Sequence, residues 1–517
     1  MKKIILSAAF ALITFCASAA FGDIFSEMYL NYLVMDDDAS TDYPKVWVIG
    51  PSSAGSTQPN LSLSIPTAVT HDGVTYRVTQ IDAKAFSGKT NIVQASIGYG
   101  ITHIGNEAFK GCTKLVNVRI PSSIQSIGDN AFASCSALKE VNIANADPST
   151  FTTSASAFPS NSGMTLGVAK TNDLRTVTAF NNLSQYSKFA TIELSSAAYD
   201  FTTDDSFAMC VTKAPSKNVP GEVKLVGVFG NSTGAFAPKA TYTHSVYSYK
   251  LVATGFRSCK DQTQIKSFDF SNATNLKTID CYTFSGCTNL TSVNLGSTVD
   301  QIELYAFENV PISSITIPKS VSYIGYLAFN KCPNLSAISV DSNNPFYKSS
   351  YGVLYMYLKG DKWDLVCCPA AFPYTAFYEY MFPSQVTVID CNAFAFCTNL
   401  KTIHIPYGVQ KLKDYLFNAA LQEVKIPGSV SEFDADAFGN ASGLQRIFIN
   451  ITTPPTITIF PATPANLYVP YGFVSNYKSA AFWKNCVNIQ DGSYDVPEAC
   501  TKTVSGTLLN DVRSGFT

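Results

Sequence analysis

Chemistry near neutral pH needs a titratable or nucleophilic group held beside a partner, so imidazoles, thiols and clustered carboxylates are weighed first. The chain has four histidines, His71, His103, His244 and His404, and none forms a metal-ligand pair or stands with a nearby Cys or Ser in a nucleophile arrangement. Cys367 and Cys368 are adjacent rather than spaced for zinc, and no Cys-x-x-Cys occurs. Asp36-Asp37-Asp38 with Asp42 gathers carboxylates but lacks the alternating ligands and the Gly of a calcium-binding loop, so a solvated loop is expected there. Neither a Gly-rich phosphate loop nor a nucleophile elbow appears. These residues predict no catalytic centre, no metal site and no cofactor.

Composition narrows the remaining classes. With 46% apolar residues and 14% charged, the 517-residue chain can bury a large core, which excludes disorder as its dominant state. Thirty-six Lys and Arg balance 38 Asp and Glu without a long run of either sign, so no nucleic-acid footprint is expected. Lys2 and Lys3 precede an apolar stretch from Ile4 to Phe15 and the small residues Ala17 to Ala20, a pattern that reads as a secretory signal peptide over residues 1–20. A lipid anchor at Cys16 is disfavoured because Phe15 stands where a small residue is wanted. No transmembrane segment is expected in the mature chain, which is read as exported, at the cell surface or extracellular, with the periplasm as the alternative.

Six of the 14 cysteines, Cys112, Cys135, Cys259, Cys287, Cys332 and Cys397, each follow a Phe by three residues. That fixed register marks buried thiols used as small hydrophobes rather than a disulfide framework. The phenylalanines recur as well, at 86, 109, 132, 256, 284, 307, 329, 394, 417 and 438, with uninterrupted spacings of 21 to 23 residues. A period near 23 predicts a repeat solenoid. In each unit an alternating segment, such as Val118 and Ile120 or Ile403 and Ile405, predicts a short parallel strand. Pro121, Pro318, Pro406 and Pro427 follow such strands and end them, because proline cannot donate to a continued ladder. One Phe per turn then predicts an aromatic spine between the strand layers.

Two stretches escape the period and resemble each other. Thr70-His71 with Tyr76-Arg77-Val78 corresponds to Thr243-His244 with Tyr249-Lys250-Leu251, and Val46 to Gly50 corresponds to Val223 to Gly227. The organisation expected is an N-terminal β-rich cap at 21–80, repeats at 81–145, a closing segment at 146–192, a second cap at 193–252, and repeats at 253–450. An aromatic hairpin insertion at 341–383, a C-terminal cap at 451–489 and a tail at 490–517 complete it, and an insertion loop is the alternative to the second cap. The closing segments share Phe158-Pro159 and Phe460-Pro461.

Units reading Ile-Gly-x-x-Ala-Phe-x-x-Cys-x-x-Leu-x-x-Val-x-Ile-Pro, nearly letter for letter at Leu115 to Pro121 and Leu400 to Pro406, closely resemble the BspA-like leucine-rich repeat family. The resemblance implies an exported or surface protein of oral or gut bacteria, without enzyme activity, that adheres to host matrix proteins or to other cells. Binding is then expected at the strand position between the two core residues, which lines one face turn after turn. That column includes Arg119, Asn142, Asn294, Thr316, Ser339, His404, Lys425 and Phe448, with His404, Lys425 and Phe448 favoured as anchors. The partner expected is a protein, from host matrix or another cell surface. A glycan is the alternative, with Tyr355, Tyr357 and Trp363 exposed on the hairpin to meet it, and a structural envelope role without a dedicated ligand is the third reading.

Overall fold

The computed structural model describes residues 22–36, 43–170, 175–458 and 466–492. The signal stretch, Asp37, Asp38, Asp42, Cys16, Phe460-Pro461 and the tail from residue 493 lie outside the described residues. The described chain falls into two compact units, one holding residues up to Ser232 with Phe236–Lys260 and Asn272–Thr283, the other holding Thr233–Ala235, Asp261–Ser271 and the rest from Phe284.

In the first unit, the strands Leu61–Ile65, Ile92–Ile97, Asn117–Ile120, Glu140–Ile143, Thr165–Ala169 and Thr191–Ser195 pair in parallel, each with the next in the chain. A second parallel ladder joins Val74–Ile81, His103–Ile104, Ser126–Ile127 and Thr152–Thr153. This is the solenoid that the period predicts. Alternation in the strands sends Val118, Ile120, Val141 and Ile143 into the interior, where all are buried.

The aromatic spine is present. Phe86, Phe109, Phe132 and Phe158 stack in succession with centroid separations of 5.0, 5.1 and 5.4 Å and near-parallel planes. Phe189 ends the run edge-on to Phe158 at 5.3 Å. The backbone around each ring ties the turns together: Glu107, Phe109 and Gly111 donate their N–H groups to the carbonyls of Asp129, Ala131 and Ala133 at 2.7 to 2.8 Å. The register cysteines are buried and free. They do more than fill space, because Cys112 and Cys135 donate their thiols to the carbonyls of Phe86 and Phe109, one turn back, at 3.2 Å. In the second unit Cys332 does the same to Phe307 at 3.0 Å, and burial pushes its thiol up to about 12, which keeps it a protonated donor.

Two backbone demands recur at the same places in the turn. The residue two before most of the rings adopts a left-handed conformation, with φ of 58° at Lys84, 57° at Glu107 and 55° at Tyr305. The Gly of Ile-Gly-x-x-Ala-Phe is there for space: a Cβ on Gly105 would stand 2.5 Å from the backbone nitrogen of Ala83 in the preceding turn.

Both irregular stretches of the first unit share one pairing scheme. Ile24–Glu27, Leu30–Asp36 and Lys45–Pro51 form an antiparallel meander whose last strand runs parallel to Val74–Ile81, itself in a hairpin with Ala68–His71. Phe201–Thr202, Phe207–Lys213 and Gly221–Val228 repeat it against Tyr247–Thr254 and Thr241–His244. His71 stacks on Phe25 at 4.3 Å and His244 on Phe201 at 4.4 Å, so both imidazoles pack equivalent aromatic corners.

In the second unit, Phe284, Phe307 and Phe329 stack at 5.4 and 5.7 Å. Residues 341–383 do not protrude as a simple hairpin. Tyr347–Ser350, Val353–Leu358 and Lys362–Cys367 form an antiparallel meander, and its last strand pairs in parallel with Val386–Ile389. That embedding corrects the expectation for its aromatics: Tyr355 and Trp363 are buried, while Tyr357 alone of the three is partly exposed. At the far end Trp483 stands edge-on to Phe438 at 5.9 Å and donates its indole N–H to the Pro455 carbonyl at 2.7 Å.

After Thr191–Ser195 the first unit's chain turns back across its own repeat strands. Ala198, Ala208, Cys210 and Val226 pack on Ala144 and Ala169, small residues that permit close approach. Buried Asp200 accepts hydrogen bonds from the Ser122 N–H and hydroxyl, both at 2.7 Å, and from the Val211 N–H at 2.6 Å. Burial outweighs these donors and pushes its carboxyl up to about 6.

Three outcomes follow for stability. Lys84→Gly should raise the melting temperature by relieving about 1–2 kcal/mol of left-handed strain, partly offset by the greater freedom of Gly in the unfolded chain. Gly105→Ala should lower it through about 1–3 kcal/mol of overpacking. Because the Asp200 carboxyl titrates higher folded than unfolded, its contribution is fully present below about pH 4 and is lost as pH rises through about 6. Melting followed from pH 4.5 to 7.5 should therefore show a decline that is absent in Asp200→Asn, whose lost acceptor lowers stability at every pH; an unchanged slope would refute this assignment.

Candidate strand-face binding site

The residue between the two core positions of a strand points away from the interior, and parallel pairing in register lines these residues into a column. In the first unit that column runs Ser64, Ser96, Arg119, Asn142, Gly167 and Glu193. It is not open. Arg119 donates through Nε to the Ala197 carbonyl at 3.1 Å and through Nη1 to the Ser96 hydroxyl at 3.3 Å, and its guanidinium lies 3.8 Å from the Tyr199 ring centroid. Burial lowers the pKa of this Arg. Asn142 is buried and donates to Glu140 at 2.7 Å. The expectation of exposed binding residues at Arg119 and Asn142 is therefore corrected: the chain that returns through residues 195–200 meets Arg119 at Ala197 and Tyr199, and Asn142 is buried.

In the second unit Asn294, Thr316 and Ser339 are exposed, with Asn294 aligned to Asp269 and Thr316 to Ser339. These small polar side chains form a featureless stretch. Further along, in-register pairing aligns His404, Lys425, Phe448, Tyr468 and Gln490 on the strands Thr402–His404, Glu423–Ile426, Arg446–Ile449, Asn466–Val469 and Asn488–Asp491. Tyr378 precedes them, edge-on to His404 at 4.9 Å, and Tyr380 stacks on Tyr378 at 5.9 Å.

The chemistry of this ladder is graded. His404 is buried rather than exposed, which corrects its reading as a free anchor. Its Nε2 lies 3.1 Å from Glu423 and its Nδ1 3.5 Å from Glu379. Glu423 also accepts from the Arg446 Nε at 2.8 Å. Burial opposes ionisation of Glu423, but the Arg446 and His404 hydrogen bonds outweigh it and hold the carboxyl below its usual range. Beyond this ionic bracket, the Lys425 ammonium lies 5.4 Å from the Phe448 centroid, and Phe448 stacks on Tyr468 at 4.4 Å with planes 9° apart. The arrangement offers a cation and ring edges along a flat ledge, with no nucleophile and base in contact.

Sequence reading found His404, Lys425 and Phe448 but not Tyr378 or Tyr468. Aligning Leu467-Tyr468-Val469 on Ile447-Phe448-Ile449 would have found Tyr468. Tyr407 and Tyr471, 52% and 78% exposed, were missed as well, although each occurs in a strand-ending Pro-Tyr-Gly. Among the described residues no group of three or more His, Cys, Asp or Glu is placed to hold a metal, and no helix is long and apolar enough to cross a membrane.

Comparison with known proteins places this architecture. The BspA type leucine rich repeat region matches in six copies, over residues 79–212, 255–351 and 368–461. No curated protein matches the chain. Among solved structures, a leucine rich cell surface protein from Faecalibacterium prausnitzii is similar at 19% identity and a TM-score of 0.36, covering 91% of this chain and 95% of its own. A leucine-rich repeat protein from Bacteroides ovatus is similar at 19% identity and a TM-score of 0.32, covering 82% and 94%. The pneumococcal vaccine antigen PcpA is similar at 14% identity and a TM-score of 0.34, covering 92% and 100%. With these repeats matched over more than half of its length, on stacked turns built as described above, the chain belongs to the BspA type leucine rich repeat family.

Proposed function

We propose that this chain is a non-catalytic recognition protein, exported to the cell surface or beyond, that binds a protein ligand through the ledge of Tyr378, Lys425, Phe448 and Tyr468. The observation that carries this reading is the continuity of that column over successive strands, its side chains partly exposed around the buried His404. Aromatic and cationic side chains are the groups that supply most energy at protein interfaces, and here the strands hold them in place before any ligand arrives. Asn294, Thr316 and Ser339 would serve as polar surround, and Arg119 and Asn142 would hold the first unit together instead of meeting a ligand. The lysines at the N-terminus followed by an apolar stretch support export, and the repeated pairing scheme at 24–81 and 201–254 supports two tandem modules.

A protein ligand suits this ledge better than a glycan. Sugars pack on the open faces of aromatic rings, whereas Phe448 and Tyr468 turn faces toward each other and present edges. Of the three hairpin rings that a sugar would meet, Tyr355 and Trp363 are buried and Tyr357 alone is exposed.

The purified chain is to be tested by surface plasmon resonance against immobilised host matrix proteins, in parallel with a glycan array. Saturable binding to one protein, weakened roughly 30-fold or more by Lys425→Glu combined with Phe448→Ala, is the expected result. Protein binding indifferent to both substitutions, or glycan binding alone, would refute the reading. Protease treatment of intact cells should cleave the chain; protection would place it inside the envelope and rule out contact with a host protein.

A further inference from the structure

The pairing scheme shared by the stretches at 24–81 and 201–254 occurs a third time. The meander at 347–367 matches the other two down to its irregularities. In each, the register with the parallel partner shifts within the last strand, between Val46 and Trp47, Val223 and Lys224, and Trp363 and Asp364. In each, the antiparallel register shifts as well, between Asn31 and Tyr32, Ala208 and Met209, and Leu354 and Tyr355. Both shifts meet at one buried residue, Val48, Leu225 or Leu365. That residue pairs on one side with Tyr32, Met209 or Tyr355 and on the other with Ile81, Thr254 or Ile389. Irregularities of this kind are built features, so a shared pair of them marks one element used three times. A repeat array needs a cap where it begins, because the outer face of a terminal turn has no neighbour to cover it. The meander at 24–51 holds that place ahead of Val74–Ile81.

The turns before the third meander end as an array ends. Their two ladders run to Tyr323–Ile324 and Ala337–Val340, and the next parallel pairs, Lys362–Cys367 with Val386–Ile389 and Ala376–Phe377 with Thr402–His404, belong to separate sheets. Single hydrogen bonds bridge the junction. The Ile324 N–H donates to the Tyr347 hydroxyl and the Ile338 N–H to the Gly352 carbonyl, both at 2.8 Å, and the Ala371 N–H to the Leu335 carbonyl at 2.9 Å. The cores part at the same place. Both sides lie in one compact unit, yet the apolar cluster of the far side runs from Val353 to Ile489 and, among the described residues, includes none of Phe284, Phe307 and Phe329. An unfilled pocket of about 230 Å³ lies beside Phe329.

We propose that residues 347–492 form a third module, capped by its own copy of the meander, which folds and unfolds independently of the turns before it. At roughly 150 residues it has the size of an ordinary domain. Trp483 against Phe438 closes its far end. The ledge strands from Thr402–His404 to Asn488–Asp491 all lie within it, so the ledge is carried by a separable unit. The inference stands whether or not that ledge binds a protein.

Pulsed hydrogen exchange of the full chain across a urea titration reads the two sides of the junction separately. The strands Glu423–Ile426 and Arg446–Ile449 should lose protection at one midpoint. Leu444→Ala, in the core of the third module, should lower that midpoint by about 1 M or more and leave the midpoint of Ser292–Asn294 and Ser314–Ile317 where it was. Ile315→Val should do the reverse. Should Leu444→Ala unfold its module outright, the earlier strands should still be protected as in wild type. Loss of the earlier strands along with it, or a common shift of both midpoints in either variant, would overturn the proposal.

Discussion

Every turn of this protein depends on contact with the turn beside it. A coil of some two dozen residues cannot enclose a core of its own, and ordering its backbone costs about 1–2 kcal/mol per residue. The compensating interaction is concentrated where the phenylalanine sits. Rings stack at 5.0 to 5.4 Å through Phe86, Phe109, Phe132 and Phe158, and alternate N–H groups around each ring donate to the following turn. The thiol three residues later bonds back to the preceding turn's Phe carbonyl. Apolar contact and backbone pairing thus demand the same pitch, which is why the repeat tolerates left-handed conformations at residues as unsuited to them as Lys84 and Tyr305.

That shared pitch also makes the outer strand face a regular lattice, and the two units use it differently. In the first, residues 195–200 return over the lattice, Arg119 is sandwiched against Tyr199, and Asp200 ties Ser122 to Val211. Surface that a repeat array would ordinarily offer to a partner is consumed internally. In the second, the column from Tyr378 to Tyr468 remains at the surface, and the Glu423 bracket between His404 and Arg446 stiffens it from the side. A rigid ledge of this sort loses little side-chain entropy on binding, a favourable property for a recognition surface.

Interruption of the repeat has the opposite effect. Where the meander at 347–367 replaces a turn, pairing with Val386–Ile389 preserves the ladder, but no ring arrives to stack on Phe329. Strand pairing is satisfied while the volume beside Phe329 is not filled, and a pocket remains there.

Most of the architecture was legible in the residues because the repeat is both local and self-consistent. A Phe every 21 to 23 positions, a Cys three later and an alternating strand before each proline determined the solenoid, the spine and the buried thiols without reference to anything distant. Equivalence of His71 and His244 was legible on the same ground, and both prove to pack against a Phe. Exposure was not. Alternation says that Asn142 and His404 point away from their own strand's core, but whether another segment lies over them depends on contacts made elsewhere in the chain or on a neighbouring strand. Only the tertiary structure decided that Arg119 is covered, that His404 is enclosed by glutamates, and that Phe448 finds Tyr468, because side-chain periodicity encodes direction while burial is set by what the rest of the chain brings to that side.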